Sequence, residues 1–138
     1  MTSLLVACAL GTVEVDLDDD EVVEVGDEPL DAPASPSIDL PLLVTAADHG
    51  STILAVVERR PPLVVSHDGG RTWRETGAGL GAGVAVAISP EHPDLVVFAT
   101  AERIHVSRDG GRFWTALSVE LPSITGVAFV GRPRVEGS

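Results

Sequence analysis

Three aspartates near the N-terminus have the type and spacing of calcium ligands. Asp16, Asp18 and Asp20 occupy alternate positions, as the first three ligands of a calcium-binding loop do. The sixth position of such a loop needs glycine and the twelfth needs a bidentate glutamate, but Glu21 and Asp27 stand there instead. We therefore expect a solvated acidic turn, with calcium at these three carboxylates as the alternative, and we expect no cofactor.

A second set of chemistry-bearing residues occurs twice, in one repeated octapeptide. Residues 66–73 read Ser-His-Asp-Gly-Gly-Arg-Thr-Trp and residues 107–114 read Ser-Arg-Asp-Gly-Gly-Arg-Phe-Trp, a separation of 107 − 66 = 41 residues. Serine and aspartate side chains can accept backbone N–H bonds of their own turn, glycine tolerates a positive φ, and tryptophan supplies a large apolar ring. This chemistry is structural, so each copy predicts a strand, a tight turn and a strand, with no catalytic residue.

Both octapeptides resemble the Asp-box of the BNR-repeat family, which has the pattern Ser-x-Asp-x-Gly-x-Thr-Trp. The fixed positions that match are Ser66, Asp68, Gly70, Thr72 and Trp73 in the first copy, and Ser107, Asp109, Gly111 and Trp114 in the second. Phe113 replaces the threonine of the second copy. The resemblance implies a β-propeller similar to the sialidase-like, sortilin-like and photosystem II assembly-factor-like propellers. It also implies that the boxes are folding devices on the outer edge, away from the mouth where ligands bind.

The repeat extends well beyond the octapeptides. Residues 54–73 align without a gap on residues 95–114, and residues 4–18 align without a gap on residues 95–109, at an offset of 95 − 4 = 91. Apolar runs and the breaks between them stay in register, which is typical of short strands separated by turns. A recurrence of about 40 to 50 residues built from strands indicates a propeller blade. The chain is therefore expected to be all-β, with about three four-stranded antiparallel blades.

The repeat also predicts how the chain is divided. We expect a single propeller segment over residues 1–138, with strands lettered A to D from the inside outward. Its parts are strands B to D of blade 1 in residues 4–25, a loop at 27–41, blade 2 at 42–77, blade 3 at 84–118, and at 124–130 the strand A that completes blade 1. The loop is rich in proline and acids, which disfavours strand pairing.

Three blades are too few for a closed ring, because propellers typically use four to eight. We expect two chains to form a six-bladed homodimer in which the C-terminal strand of each pairs within the first blade of its neighbour. The alternative is that the chain is part of a longer propeller. A further protein partner is expected, but nothing in the sequence identifies it.

Composition and charge exclude several classes of partner. The net charge is −12, every basic residue is arginine, and none precedes Arg59, so nucleic acid is not expected to bind. No apolar stretch approaches the length of a membrane span. Cys8 is the single cysteine and is expected in the core. Residues 5–8 resemble a lipoprotein cleavage box without a basic segment before it, so the cytoplasm is favoured, with export or a lipid anchor if the true start lies upstream.

The expected activity is binding. Sialidases use a tyrosine nucleophile, and the chain contains no tyrosine, which excludes that mechanism for this polypeptide. A lectin needs exposed aromatic rings, and we expect Phe98, Phe113 and Phe129 to be buried. The sequence therefore favours a non-catalytic propeller that serves as a protein-interaction or assembly scaffold. A carbohydrate-binding propeller and an inactive or partial glycoside hydrolase are the alternatives, and the second would require a pair of carboxylates at the mouth.

Overall fold

Twelve β-strands and their connecting turns make up the part of the chain that this computed structural model describes, residues 2–27, 30, 38 and 40–130. The strands are β1 (Ser3–Cys8), β2 (Gly11–Asp16), β3 (Glu21–Gly26), β4 (Leu43–His49), β5 (Thr52–Val57), β6 (Leu63–Ser66), β7 (Arg74–Thr76), β8 (Ala85–Ile88), β9 (Val96–Ala99), β10 (Arg103–Ser107), β11 (Thr115–Glu120) and β12 (Gly126–Phe129). Within these residues there is no helix with the length and hydropathy to cross a bilayer.

The strands form three four-stranded antiparallel sheets, which confirms the predicted fold. Their strand orders are β12-β1-β2-β3, β4-β5-β6-β7 and β8-β9-β10-β11, here called blades 1, 2 and 3. The first strand of each order, β12, β4 or β8, is the inner strand of its blade. The inner strands lie side by side with β8 in the middle. The blades therefore form an arc in the order 2, 3, 1, which is a partial β-propeller.

Blade 3 is buried on both faces because its two innermost strands are apolar at every position. Successive side chains on a strand point to opposite faces. Val97 and Ala99 of β9 therefore pack into the cluster shared with blade 1. Val96 and Phe98 of the same strand pack into the cluster shared with blade 2. An uninterrupted apolar run thus serves two interfaces at once, and it holds the arc together.

The C-terminal strand pairs within its own chain. β12 runs antiparallel to β1, with Val6 opposite Val127 and Leu4 opposite Phe129. The prediction that this strand pairs in the first blade of a neighbouring chain is therefore wrong. Because blade 1 lies on the free side of blade 3, β12 reaches β1 directly after β11, and pairing within one chain avoids the entropy cost of association.

The register of blade 1 also differs from the expected one by a single residue. In blade 3, Val96 pairs with Ile88. At the repeat offset of 41 residues (129 − 88 = 41), Ile88 of β8 corresponds to Phe129 of β12. Phe129 pairs with Leu4. Leu4 therefore corresponds to Val96, an offset of 96 − 4 = 92, and the expected offset of 91 is wrong. A one-residue slip moves every side chain to the other face, so Leu4 points into the interface with blade 3 and Leu5 points away from it.

The gapless alignment of blades 2 and 3 holds only across the hairpins β6–β7 and β10–β11. Residues 57–62 lie between Val56 and Leu63, the last paired residues of the β5–β6 hairpin, whereas residues 100–103 lie between Ala99 and Ile104 of the β9–β10 hairpin. The expected alignment is therefore wrong by two residues at β5. Because a slip of two leaves each side chain on its own face, Leu54 and Val56 still pack against blade 3.

The outer face of blade 2, which points away from blade 3, is covered by the chain itself. Most of the predicted loop at residues 27–41 lies outside the described residues. Of those described, Ile38 and Leu40 are partly buried and pack with Leu43 against that face, together with Trp73. This end of the arc is therefore not an open apolar surface.

The outer face of blade 1 is more polar than the equivalent faces of the other blades. At the offset of 92, Thr12 and Glu14 stand where blade 3 has Ile104 and Val106. The two blade 3 residues are buried against blade 1, while Thr12 and Glu14 are only partly buried. A polar outer face is the usual feature of a terminal repeat that caps an array.

The register can be tested with two neighbouring leucines. Leu4 is 0% exposed in the main core and Leu5 is partly exposed on the opposite face. We expect Leu4→Ala to lower the free energy of unfolding by about 2–5 kcal/mol and Leu5→Ala to lower it by markedly less, because only the first substitution leaves a core cavity. Urea unfolding of the two variants measures the difference. A larger loss of unfolding free energy for Leu5→Ala than for Leu4→Ala would instead support an offset of 91 residues between blades 1 and 3.

Candidate functional site

A groove of about 280 Å³ runs along the three inner strands. Its lining is mostly small and apolar, and includes Ala46 and Ala47 of β4, Ala85 and Ala87 of β8, and Val127 and Ala128 of β12. Asp48 is the single ionisable side chain among the described residues that line it. Thr45 and Thr125 add hydroxyl groups at its two sides. The groove occupies the place of a propeller mouth.

The composition of this groove limits its chemistry. Asp48 is exposed and has no second carboxylate or histidine beside it in the described lining, so the described residues form no general acid–base pair there. β4, β8 and β12 are edge strands of their sheets, and edge strands present backbone N–H and C=O groups to a partner. The arrangement suits an extended polypeptide. Sequence reasoning did not identify these residues, because they come from the same strand position in three separate copies of the repeat.

The first octapeptide turn, residues 66–73, is stabilised by two of its own side chains. The Ser66 hydroxyl donates to Asp68 Oδ1 at 2.7 Å and accepts the N–H of Gly70 at 2.8 Å. Asp68 accepts the N–H groups of Arg71 and Thr72 at 3.1 and 2.9 Å, and the Thr72 hydroxyl at 2.6 Å. Gly70 has a φ of +97°, a conformation that side chains rarely adopt. Of the predicted residues, Ser66, Asp68, Gly70 and Thr72 therefore lie together in one hydrogen-bonded network.

The second octapeptide turn, residues 107–114, repeats the network with one bond fewer. Ser107 donates to Asp109 at 2.7 Å and accepts the N–H of Gly111 at 2.8 Å. Asp109 accepts the N–H groups of Arg112 and Phe113, both at 3.1 Å. Because phenylalanine replaces threonine, Asp109 has no hydroxyl donor equivalent to that of Thr72. The carboxylate of Asp109 therefore accepts one hydrogen bond fewer than that of Asp68.

Hydrogen bonds shift both turn carboxyls in the same direction. The Thr72 hydroxyl and N–H, with the Ser66 hydroxyl, hold the pKa of Asp68 far below its usual value. The Ser107 hydroxyl and the Phe113 N–H lower the pKa of Asp109. Donors that bond the ionised form favour that form, so both carboxylates are charged and satisfied inside their own turns.

The two tryptophans that follow these turns have different surroundings. The Trp114 ring lies between blades 2 and 3, edge-on to Phe98 with 6.2 Å between the ring centroids. Its Nε1–H donates to the Gly111 carbonyl at 3.1 Å, which also accepts the Thr76 hydroxyl. Trp73 packs on the outer face of blade 2, at the end of the arc. Both rings are half-buried, and only Trp114 joins two blades.

The three aspartates with calcium-like spacing form bonds in different places. Asp16 accepts the N–H groups of Asp18 and Asp19 at 2.9 and 3.2 Å, and Asp18 pairs with Arg108 of blade 3 at 3.3 Å. Asp20 accepts the N–H of Ser118 on β11 at 2.7 Å, which lowers the pKa of Asp20. In the part of the chain that the structure describes, no three His, Cys, Asp or Glu side chains could hold a metal ion together.

Asp18 and Asp20 fasten blade 1 to blade 3. Arg108 also donates to the Leu17 carbonyl at 3.3 Å, beside its ion pair with Asp18. The contacts of Arg108 and the Asp20–Ser118 bond together join the β2–β3 turn to the outer part of blade 3. Sequence reasoning missed this contact. The only signal was that Arg108 occupies the variable second position of its octapeptide.

The phenylalanines do not all lie in the core, as the sequence led us to expect. Phe98 is fully buried and Phe129 is partly buried, but Phe113 is 77% exposed. The expectation is therefore wrong for Phe113. Its position in the turn belongs to a threonine that points toward the turn carboxylate, so a larger side chain there projects into solvent. The departure from the octapeptide pattern was the available signal.

Comparisons with known proteins add one structural likeness. No family model matches the chain, and no curated protein matches it. Among solved structures, the chain is similar to YCF48 bound to D1 peptide, with a TM-score of 0.45 and 18% sequence identity. The match covers 80% of this chain and 34% of that one, so this chain spans about a third of the length of that protein.

The carboxylate of the first turn predicts a pH dependence. The pKa of Asp68 is lower in the folded chain than its unfolded value of about 3.9. Its contribution is therefore fully present above the unfolded pKa and is lost as the pH falls through that value toward the folded pKa. We expect Asp68→Asn to lower the melting temperature at pH 7 and to flatten its decline between about pH 5 and pH 2. Calorimetry across this range measures both effects, with Asp48→Asn as a control outside the turn. If the melting temperature of Asp68→Asn falls with pH as steeply as that of the unmodified chain, Asp68 does not stabilise the turn in this way.

Trp114 provides a test of the contact between blades 2 and 3. We expect Trp114→Ala to lower the free energy of unfolding by about 3 kcal/mol, the lower end of the usual range because the ring is half-buried. Trp114→Phe should lose less, since it keeps an aromatic ring against Phe98 and loses only the bond to Gly111. Chemical denaturation measures both variants. Equal stability of all three proteins would show that the ring does not bind the blades together.

Proposed function

We propose that the chain is a non-catalytic propeller segment whose octapeptide turns are Asp-boxes, and that it serves as a protein-interaction or assembly module. The observation that carries this proposal is the groove along β4, β8 and β12, whose described lining is mostly apolar and contributes one carboxylate. The proposed ligand is an extended peptide segment of a partner protein.

The groove lining supports a binding role over hydrolysis. Glycosidases of the usual type use two carboxyl groups about 5–5.5 Å or about 6.5–9.5 Å apart. The described lining supplies Asp48 alone. Small side chains such as Ala47 and Ala87 leave the strand backbones close to the groove, which favours contacts with another main chain.

Edge strands and charge indicate the kind of peptide. β8 and β12 are edge strands, so an extended segment can add main-chain hydrogen bonds alongside them, as in β-strand addition. The net charge of −12 and the carboxylate of Asp48 favour a segment with basic as well as apolar residues. The groove therefore suits a basic, apolar peptide in extended form.

The Asp-box assignment rests on the two turns. Ser66 with Asp68 and Ser107 with Asp109 use their side chains on the N–H groups of their own turns. None of these carboxylates faces the inner-strand groove. This is the arrangement of a folding device, and it leaves the turns without a catalytic part.

Self-association belongs to the same proposal. The predicted homodimer can no longer depend on exchange of β12, which pairs with β1 of its own chain. Nor does it depend on stacking of the arc ends, one covered by Ile38 and Leu40 and the other polar at Thr12 and Glu14. We propose that the chain is a homodimer through a different surface.

Peptide selection tests the groove directly. Peptides selected from a phage-displayed random library on the purified chain should be rich in basic and apolar residues. Asp48→Arg reverses the groove charge and Thr125→Trp fills one side of it, so each should weaken the selected peptides at least about tenfold, or about 1.4 kcal/mol. Glu102→Arg makes the same kind of charge change outside the groove and serves as the control.

Two results would contradict the proposal. Selected peptides that bind both groove variants as tightly as the unmodified chain would place the binding surface elsewhere. Hydrolysis of a panel of fluorogenic glycosides by the purified chain, abolished by Asp48→Asn, would show that the groove is catalytic.

A further inference from the structure

A second pocket, of about 260 Å³, adjoins one end of the groove. It is formed where the turn after β8 meets the start of β1 and the end of β12. Pro90 and Phe129 line both the pocket and the groove. The N–H of His92 donates to the Ser89 hydroxyl at 3.2 Å, which holds the turn after β8 in place. The pocket is therefore within reach of a ligand that lies in the groove.

The pocket contains a buried hydroxyl group without a partner. Ser3 lines the pocket and is 8% exposed, and its Oγ forms no hydrogen bond. Among the described residues it is the single buried side-chain nitrogen or oxygen in this condition. An unpaired buried polar group costs free energy, and most such groups in folded proteins have a partner. A polar ligand in the pocket would supply the partner that Ser3 lacks.

The charge of the pocket indicates the kind of ligand. The ionisable residues of its described lining are Glu14, Glu91 and His92, with no lysine or arginine. Glu14 is partly buried and Glu91 is exposed, and neither forms an ion pair with a described residue. Ser3 and Glu14 lie on the same face of blade 1, because Ser3 pairs with Asp16 and alternate residues of β2 share a face. Two free carboxylates and a free hydroxyl select a cation that donates hydrogen bonds.

The pocket lies at the same end of the groove as the carboxylate of the groove. Asp48 of β4 and Ile88 of β8 occupy equivalent positions, since each pairs with the residue that lies opposite the serine of its octapeptide. Phe129 is the counterpart of Ile88 in β12. Negative charge is therefore concentrated at one end of a mostly apolar groove. A bound peptide would place its basic residues at this end and its apolar residues along the rest of the groove.

We propose that this pocket binds the side chain of an arginine in the partner peptide, with the guanidinium group bonded to Glu14, Glu91 and the Ser3 hydroxyl. The inference rests on the proposed function and names the residue by which the groove selects its ligand. A guanidinium group is planar and carries five N–H donors, whereas the ammonium group of lysine carries three. Two carboxylates and a hydroxyl offer more acceptor atoms than one ammonium group can bond, so the pocket favours arginine over lysine.

Changes in the peptide test the arginine. The probes are the peptides selected from the phage-displayed library on the purified chain, resynthesised with each arginine replaced in turn by citrulline, which keeps the shape of the side chain and removes its charge. We expect one position at which citrulline raises the dissociation constant at least about tenfold, or about 1.4 kcal/mol. Lysine at that position keeps the charge without the planar group, so its effect should be smaller than that of citrulline. Isothermal titration calorimetry measures the affinities.

Changes in the pocket should weaken the same peptides. Glu14→Gln and Glu91→Gln in one double variant should raise the dissociation constant at least about tenfold. Ser3→Ala should also weaken binding, while the melting temperature is unchanged or higher because the variant removes an unpaired buried hydroxyl. Glu102→Gln is the matched control, since Glu102 is exposed and lines neither the pocket nor the groove. That control should leave the dissociation constant unchanged.

A double-mutant cycle shows whether the arginine and the two carboxylates meet. In the unmodified chain, the arginine peptide should bind at least about tenfold more tightly than its citrulline form. In the double glutamine variant, the two peptides should bind with nearly equal affinity, because the groups that distinguish them are gone. General damage to the fold weakens both peptides alike and does not produce this result.

The outcomes separate this inference from the proposed function. Selected peptides that are weakened by Asp48→Arg and Thr125→Trp, but that lack arginine or tolerate citrulline at every position, would retain the groove and reject the arginine pocket. An arginine whose replacement by citrulline costs as much in the double glutamine variant as in the unmodified chain would also reject the pocket. Binding that is lost in the pocket variants and unchanged in both groove variants would retain the pocket and reject the groove.

Discussion

Burial of both faces of blade 3 positions every other part of the arc. β8 and β9 carry apolar side chains at each position, so one face packs against blade 2 and the other against blade 1. Neither neighbouring blade packs between two other blades, because the outer face of blade 2 is covered by Ile38 and Leu40 of the chain's own loop and that of blade 1 is partly polar. The inner strands of the outer blades therefore flank β8, and the groove exists because of this order.

The octapeptides were the most predictive part of the sequence because they determine structure locally. Serine, aspartate and glycine satisfy the turn within a few residues, so the hairpins β6–β7 and β10–β11 could be expected without knowledge of the rest. Other features depend on distant parts. Leu4 and Leu5 are identical residues on opposite faces, so a slip of one residue leaves the apolar pattern unchanged and the sequence could not reveal it. The choice between β1 of the same chain and β1 of a neighbour is likewise invisible in the sequence of β12.

The candidate site was less predictable than the fold. The groove takes Asp48, Ala87 and Thr125 from strand regions about 40 residues apart, and only the order of the blades in space brings them together. The N-terminal aspartates had a spacing that matched calcium ligands, yet Asp16 bonds within its own turn, and Asp18 and Asp20 bond to Arg108 and Ser118 of another blade. Carboxylates can bind a metal ion or bond to another blade, and which of these occurs depends on the groups that the fold places opposite them. Phe113 departs visibly from the repeat pattern, yet the sequence led us to expect its ring in the core, because burial depends on what surrounds the turn.

The pairing of β1 with β12 has a consequence for the order of events during synthesis. Leu4 meets Phe129 across 129 − 4 = 125 residues, so the β1–β2 hairpin receives β12 only after blades 2 and 3 have been translated. Contacts between residues so far apart slow folding, because a long loop must close before they form. Until then Leu4 and Val6, which are fully buried in the finished protein, are open to other nascent chains and to chaperones. Maturation of the β1–β2 hairpin is thus deferred until both other blades have been made.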